Sequence, residues 1–157
     1  MSPHKFGRQA QAVEEFIDII ENLTEEQWVK LGSIVFAIIT EERWAPVVNA
    51  MAETPISPPM ANALDLAGAA AGGRAALVDR SLFGSRHEQY AAGNYPGTVV
   101  FILANRHKLP SWVTRFALEP LLDIGIDAEH LIPETQPDEE PIPHDLEAWR
   151  PTTRTGD

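Results

Sequence analysis

The strongest constraint in this sequence is a stretch of small residues at positions 61–78. Its core reads LAGAAAGGRAAL, and the whole stretch carries two charged side chains, Asp65 and Arg74. A helix that is apolar on every side is normally buried on every side. The pattern therefore predicts an Ala/Gly-rich central helix within residues 58–82, so that a leucine at Ala70 or Ala71 would overpack it.

The Gly72-Gly73 pair interrupts this helical pattern. Two glycines lower helix propensity by about 2 kcal/mol relative to two alanines. We therefore expect a break in the helix, or a tight crossing with another helix, at this pair.

Two amphipathic helices precede this stretch. Residues 9–22 form the first, with an apolar face repeating at i, i+3, i+4 and i+7. Thr24 and Gln27 have the spacing of a capping box, which predicts that a second helix begins there. The buried positions of the two helices are predicted to be Val13, Phe16, Ile17 and Ile20 in the first, and Trp28, Leu31, Val35 and Ile38, with the neighbourhood of Trp44, in the second.

Proline, glycine and serine mark the remaining helix boundaries. Pro46 is expected to end or kink the second helix. A short helix at 47–53 and a loop should follow, and Ser57-Pro58 is expected to start the third, Ala/Gly-rich helix. Ser85 is expected to cap a fourth helix, interrupted at Gly93, Pro96 and Gly97. Residues 98–108 have strand propensity but no partner strand, so a helix is predicted. Residues 111–124 are predicted to form the last helix, with Ser111 as its N-cap.

The C-terminal segment differs in composition from the rest. Residues 133–151 contain five prolines, and residues 129–157 hold eight acidic and two basic side chains. Such a segment cannot bury enough apolar surface to form a core. The sequence therefore predicts an all-α, single-domain bundle of five or six helices at 1–132. An extended acidic, proline-rich tail is predicted at 133–157. The apolar side chains of Ile142, Leu146 and Trp149 could anchor this tail to the bundle.

Composition restricts the class of protein. The 157-residue chain has no cysteine and a net charge of −11. The absence of cysteine excludes disulfides and thiolate chemistry and fits a reducing compartment. No secretory signal and no membrane-spanning run is apparent, so a soluble cytoplasmic protein is expected. Direct nucleic-acid binding is not expected, because the basic residues cluster only at Arg106, His107 and Lys108.

The segment SRHEQYAAGNYPGT, residues 85–98, contains the candidate functional residues. On a helix, His87, Tyr90, Ala91 and Asn94 share one face. If that face is turned inward, its polar groups must bond to one another, to backbone groups or to a ligand.

Asp65, alone in an apolar helix, needs a partner if it is buried, and the available types are His87, Arg80, Arg86 and Arg43. Asp65 beside His87 would be a proton-transfer pair. We expect Asp65 or Arg80 to lie within hydrogen-bond reach of His87 or Tyr90.

Two interpretations of this face remain open from the sequence. It is either a polar cavity between helices, or a helix–helix contact whose polar atoms bond to backbone groups. For the cavity, the catalytic candidates are Asp65, His87 and Tyr90, and the binding candidates are Arg80, Arg86, Asn94 and Trp44. No metal or cofactor is expected, since Glu-x-x-His, P-loop and GxGxxG patterns do not occur.

The sequence thus leaves the function open between different classes. The leading hypothesis is a small binding or regulatory protein whose partner is another protein or a small apolar molecule. A homo-oligomer is compatible with both kinds of partner. The alternative is a cofactor-independent enzyme that uses a buried polar pocket for proton transfer. A third hypothesis is an acidic mimic that occupies a nucleic-acid-binding partner.

Overall fold

The computed structural model describes residues 11–52 and 66–133, and the described chain is helical with no strand. The predicted all-α bundle is thereby confirmed. No helix in these two described ranges has the length and apolarity that crossing a bilayer requires. The described helices are α1 (Gln11–Glu21), α2 (Glu25–Thr40), α3 (Ala45–Ala52), α4 (described part, residues 66–72), α5 (Arg86–Ala104) and α6 (Ser111–Asp123), with 3₁₀ turns at Gly73–Leu77, Arg80–Leu82, Arg106–Lys108 and Glu129–Leu131.

Helices α1 and α2 form as the sequence predicts. Val13, Phe16 and Ile20 are buried on α1, whereas Ile17 is half-buried. The capping box at the start of α2 is complete: the Gln27 backbone N–H donates to the Thr24 hydroxyl at 3.1 Å, and the Thr24 N–H donates to the Gln27 side chain at 2.9 Å. The predicted stripe of α2 is buried at Trp28, Leu31, Val35 and Ile38.

The C-terminus of α2 differs from the prediction. The helix ends at Thr40, six residues before Pro46, and the chain turns through Glu42 with a left-handed φ of 57°. The expectation that Pro46 ends or kinks α2 is therefore wrong. Pro46 is the second residue of α3. In the first turn of a helix its missing N–H would have no intrahelical partner in any case.

The Ala/Gly-rich segment packs along one side. Gly68, Ala71, Gly72, Ala75 and Val78 are buried, while the others in the described range 66–78 are exposed or half-buried. The expectation of burial on every side is wrong for these residues, because Leu66 and Leu77 are 74% and 79% exposed. The break at the glycine pair is confirmed, since the α-helix becomes 3₁₀ at Gly73.

Helix α5 takes the central position. It packs against α1, α2, α6 and the 3₁₀ turn after α4. Ser85 caps it as predicted, with its hydroxyl accepting from the Glu88 N–H at 3.2 Å. The predicted interruption at Gly93, Pro96 and Gly97 is wrong, because the helix continues through all three to Ala104.

The physical reason is tertiary packing. A proline inside a helix costs about 3 kcal/mol. The turns that follow Pro96 bury Val99, Val100, Ile102 and Leu103 almost completely. Each such side chain contributes about 1.5–3 kcal/mol when removed from water, so their burial outweighs the cost of the proline.

Helix α6 follows the Arg106–Lys108 turn. Its N-cap residue is Pro110, and Ser111 is the first helical residue, so the predicted cap at Ser111 is wrong. The helix continues through Pro120. The Tyr95 hydroxyl of α5 donates to the Ala117 carbonyl of α6 at 2.6 Å, which joins the two helices inside the core.

The described chain ends close to the first helix. His130 Nε2 lies 3.5 Å from Glu15 Oε1 on α1. The predicted start at Ser57-Pro58 and the tail with Trp149 lie outside the described residues. The division at residue 132 therefore stays a prediction.

Candidate functional site

A cavity of about 590 Å³ lies between α2, α3 and α5. Ligand pockets in proteins usually have volumes of about 300–1,000 Å³ and mainly apolar walls. We call it the α2–α3–α5 cavity. It is lined by Val35, Ile39, Glu42, Trp44, Ala45, Val48, Asn49, Met51, Ala91, Asn94, Tyr95 and Thr98.

Two aromatic side chains form its inner wall. The ring centroids of Trp44 and Tyr95 lie 6.2 Å apart with the planes tilted, and Tyr95 makes an edge contact with Phe16 at 6.2 Å. Trp44 and Tyr95 are buried. Because these rings pack against the core on one side and border the cavity on the other, they present a rigid apolar surface to its contents.

Tyr95 is a structural rather than a proton-transferring wall residue. Burial raises the pKa of its phenol well above the ordinary value of 10.0, and the negative charge of Asp123 raises it further. Its hydroxyl group donates a hydrogen bond to the backbone carbonyl of Ala117. At neutral pH the Tyr95 side chain therefore remains protonated and oriented.

The mouth of the cavity is partly apolar and partly polar. Ile39 and Val48 are 50% and 54% exposed, and both border this cavity. Glu42, Asn49 and Asn94 are exposed, and Thr98 is half-buried. The cavity thus has an apolar interior and polar groups near solvent.

The predicted polar face of α5 points outward. His87, Tyr90 and Asn94 do share one side of the helix, but all three are exposed, Tyr90 by 57%. The expectation that this face turns inward is wrong for these three polar residues, whereas Ala91, on the same face, is buried. The buried side of α5 instead runs through Ala91, Ala92, Tyr95 and Val99. The His87 ring lies over the outer surface of α2, 6.0 Å from the Phe36 ring.

The proposed proton-transfer pair is not assembled among the described residues. Asp65 lies outside them. Arg80 and Arg86 are exposed, and the described part of the chain contains no hydrogen bond between Arg80 and either His87 or Tyr90. Catalytic roles for Asp65, His87 and Tyr90, and a binding role for Arg86, stay predictions.

A second cavity, of about 520 Å³, brings some of the predicted residues together. Arg80, Tyr90 and Asn94 border it, beside the small residues of the 69–76 region. Gln89, which the sequence did not single out, donates through Nε2 to the carbonyls of Ala75 at 3.1 Å and Val78 at 3.3 Å. That side chain fixes the 3₁₀ turn to α5, so Gln89 already has a structural role in this lining.

Of the predicted site residues, Trp44 and Asn94 line the α2–α3–α5 cavity. Tyr95 lies in the segment at residues 85–98 but is not among the predicted site residues, because the neighbouring Pro96 is typical of a helix end rather than of a core position. Glu42 was missed because it borders the cavity at a left-handed turn that no sequence pattern predicts. In the described ranges no three His, Asp or Glu side chains are grouped as a metal site requires.

Comparison with known proteins gives no assignment. No family model, no curated protein sequence and no solved structure matches this chain.

Proposed function

We propose that this protein binds a small, mainly apolar molecule in the α2–α3–α5 cavity. The observation that carries the proposal is the cavity itself, with its volume of about 590 Å³ and its wall of buried aromatic side chains, Trp44 and Tyr95. The exposed Ile39 and Val48 at the mouth support it, since binding would remove both from water.

A small molecule fits this surface better than a protein partner does. The apolar residues converge on a concave site, whereas a standard protein–protein interface buries about 800 Å² per partner over a broad patch. The proton-transfer alternative gains no support from the described residues, because His87 and Tyr90 are exposed.

The proposal can be tested with an uncharged fluorescent probe, N-phenyl-1-naphthylamine, whose emission rises in apolar surroundings. Val48→Asp would place a carboxylate at the mouth of the cavity. Leu82→Asp makes a similar change at a residue that is 50% exposed and does not line the cavity. Thermal unfolding would show that both variants are folded.

We expect the wild-type protein and Leu82→Asp to bind the probe with similar Kd values. Val48→Asp should bind at least about tenfold more weakly, since a buried apolar contact is replaced by a desolvated charge. Equal affinity of the two variants, or no saturable binding by the wild-type protein, would contradict the proposal.

A further inference from the structure

We infer that the ligand of the α2–α3–α5 cavity carries a positively charged amine, held by the carboxylate of Glu42. This inference rests on the proposed function and names the chemical class of its ligand. Among the described residues that line this cavity, Glu42 is the only one whose side chain is charged at neutral pH.

The backbone at Glu42 is in a conformation that disfavours glutamate. Among the described residues it is the only non-glycine with a positive φ, at 57°. The Glu42 N–H donates to the Ile39 carbonyl at 3.0 Å, and the Arg43 N–H donates to the Ile38 carbonyl at 3.1 Å. This is the Schellman pattern, in which the left-handed residue is usually glycine because a side chain is disfavoured there.

The charge of Glu42 is also unfavourable for the helix. The C-terminus of a helix carries the negative end of its dipole, where a carboxylate is repelled and a basic residue is preferred. The last turn of α2 has no basic residue, and Glu41 precedes Glu42. Neither backbone conformation nor helix electrostatics therefore accounts for a glutamate at this position, and strained residues often have a functional role.

The neighbouring cation does not neutralise Glu42 directly. Arg43 Nε lies 2.9 Å from Oε1 of Glu41. Within the described residues the carboxylate of Glu42 makes no hydrogen bond or ion pair. Glu42 and Trp44 line the same cavity, so a bound amine would have a carboxylate for a charge-assisted hydrogen bond and an aromatic side chain nearby.

Three probes with the same naphthalene body separate charge from apolar binding: 2-naphthylmethylamine, 2-naphthylmethanol and 2-naphthoate. Their Kd values would be measured by calorimetry at one fixed ionic strength. We expect the wild-type protein to bind the amine about tenfold more tightly than the alcohol, with the carboxylate the weakest. Glu42→Gln should bind the amine and the alcohol equally.

Glu21→Gln is the matched control. It removes the same charge from an exposed residue at the end of α1 that does not line the cavity. It should retain the preference for the amine. If it loses the preference as Glu42→Gln does, general attraction to an acidic protein explains the binding and the inference is overturned.

The two proposals fail in different ways. Equal binding of amine and alcohol by the wild-type protein, or tighter binding of the carboxylate, would overturn the inference about Glu42 while the cavity remains a ligand site. Absence of binding by both the amine and the alcohol would overturn the proposed function and this inference with it.

Discussion

The backbone of Gly72 on α4 lies so close to the carbonyl oxygen of Gly93 on α5 that a β-carbon at position 72 would overlap that oxygen. One turn earlier, a β-carbon at Gly68 would overlap the α-carbon of Gly97. On both helices the glycines are four residues apart, which places each pair on one face. The small residues of the sequence thus allow this crossing, although the segment that carries them is not buried on every side.

The crossing is not symmetric, and this gives the first prediction. Gly72→Ala should destabilise the protein by about 1–3 kcal/mol or more, because the new methyl group meets backbone that cannot move aside. Gly93→Ala should be neutral or stabilise by up to about 1 kcal/mol, since its β-carbon makes ordinary contacts of 3.5 Å or more and alanine favours the helix. Urea unfolding followed by circular dichroism measures both. Equal losses in the two variants would contradict the asymmetry.

The second prediction separates two neighbouring alanines. Ala71 is 1% exposed, whereas Ala70 is exposed. Ala71→Leu should lower the free energy of unfolding by about 1–3 kcal/mol through overpacking. Ala70→Leu should change it by less than about 0.5 kcal/mol, as is usual for surface substitutions. A large loss in the Ala70 variant would show that the exposed side of α4 is covered.

The third prediction concerns the pH dependence that Tyr95 produces. Its pKa is raised in the folded protein, so the folded state holds the phenolic proton more tightly than the unfolded chain does. The resulting stability is complete below pH 10 and is lost as the pH rises above it. Tyr95→Phe should cost about 1 kcal/mol near neutral pH through loss of the bond to Ala117.

Denaturant unfolding near pH 7, and again about one unit above pH 10, would test this prediction about the phenol. The difference in stability between the wild-type protein and Tyr95→Phe should shrink at the higher pH. Other groups that titrate there are common to both proteins and cancel in the comparison. If the difference in stability between the two proteins grows with pH, the predicted direction of the Tyr95 effect is wrong.

The fourth prediction is that Glu42→Gly stabilises the fold. Glycine removes the steric penalty of the left-handed conformation and the carboxylate at the helix C-terminus, so the free energy of unfolding should rise by about 1 kcal/mol. Glu41→Gly is the control, because Glu41 has an ordinary φ of −92° and gains nothing from glycine there. Thermal unfolding of both variants measures the difference. A loss of stability in Glu42→Gly would mean that the glutamate has a structural role.

Short-range signals in the sequence were sufficient for several elements. The capping box of Thr24 and Gln27, the Ser85 cap and the break at Gly73 all depend on residues within a few positions of one another. The apolar stripe of α1 and α2 depends on helical periodicity alone. Because the interactions involved are local, the sequence was enough to predict these elements and the all-α class.

Contacts between distant parts of the chain decided the rest. The helix continues through Pro96 because the core buries the residues after it, and His87 is exposed because the side of α5 that meets the other helices runs through Tyr95 and Val99. The α2–α3–α5 cavity brings Glu42 and Trp44 to Asn94, about fifty positions away in the sequence. Periodicity identifies which residues share a helix face, but the packing of the other helices determines which face is buried and where a cavity remains.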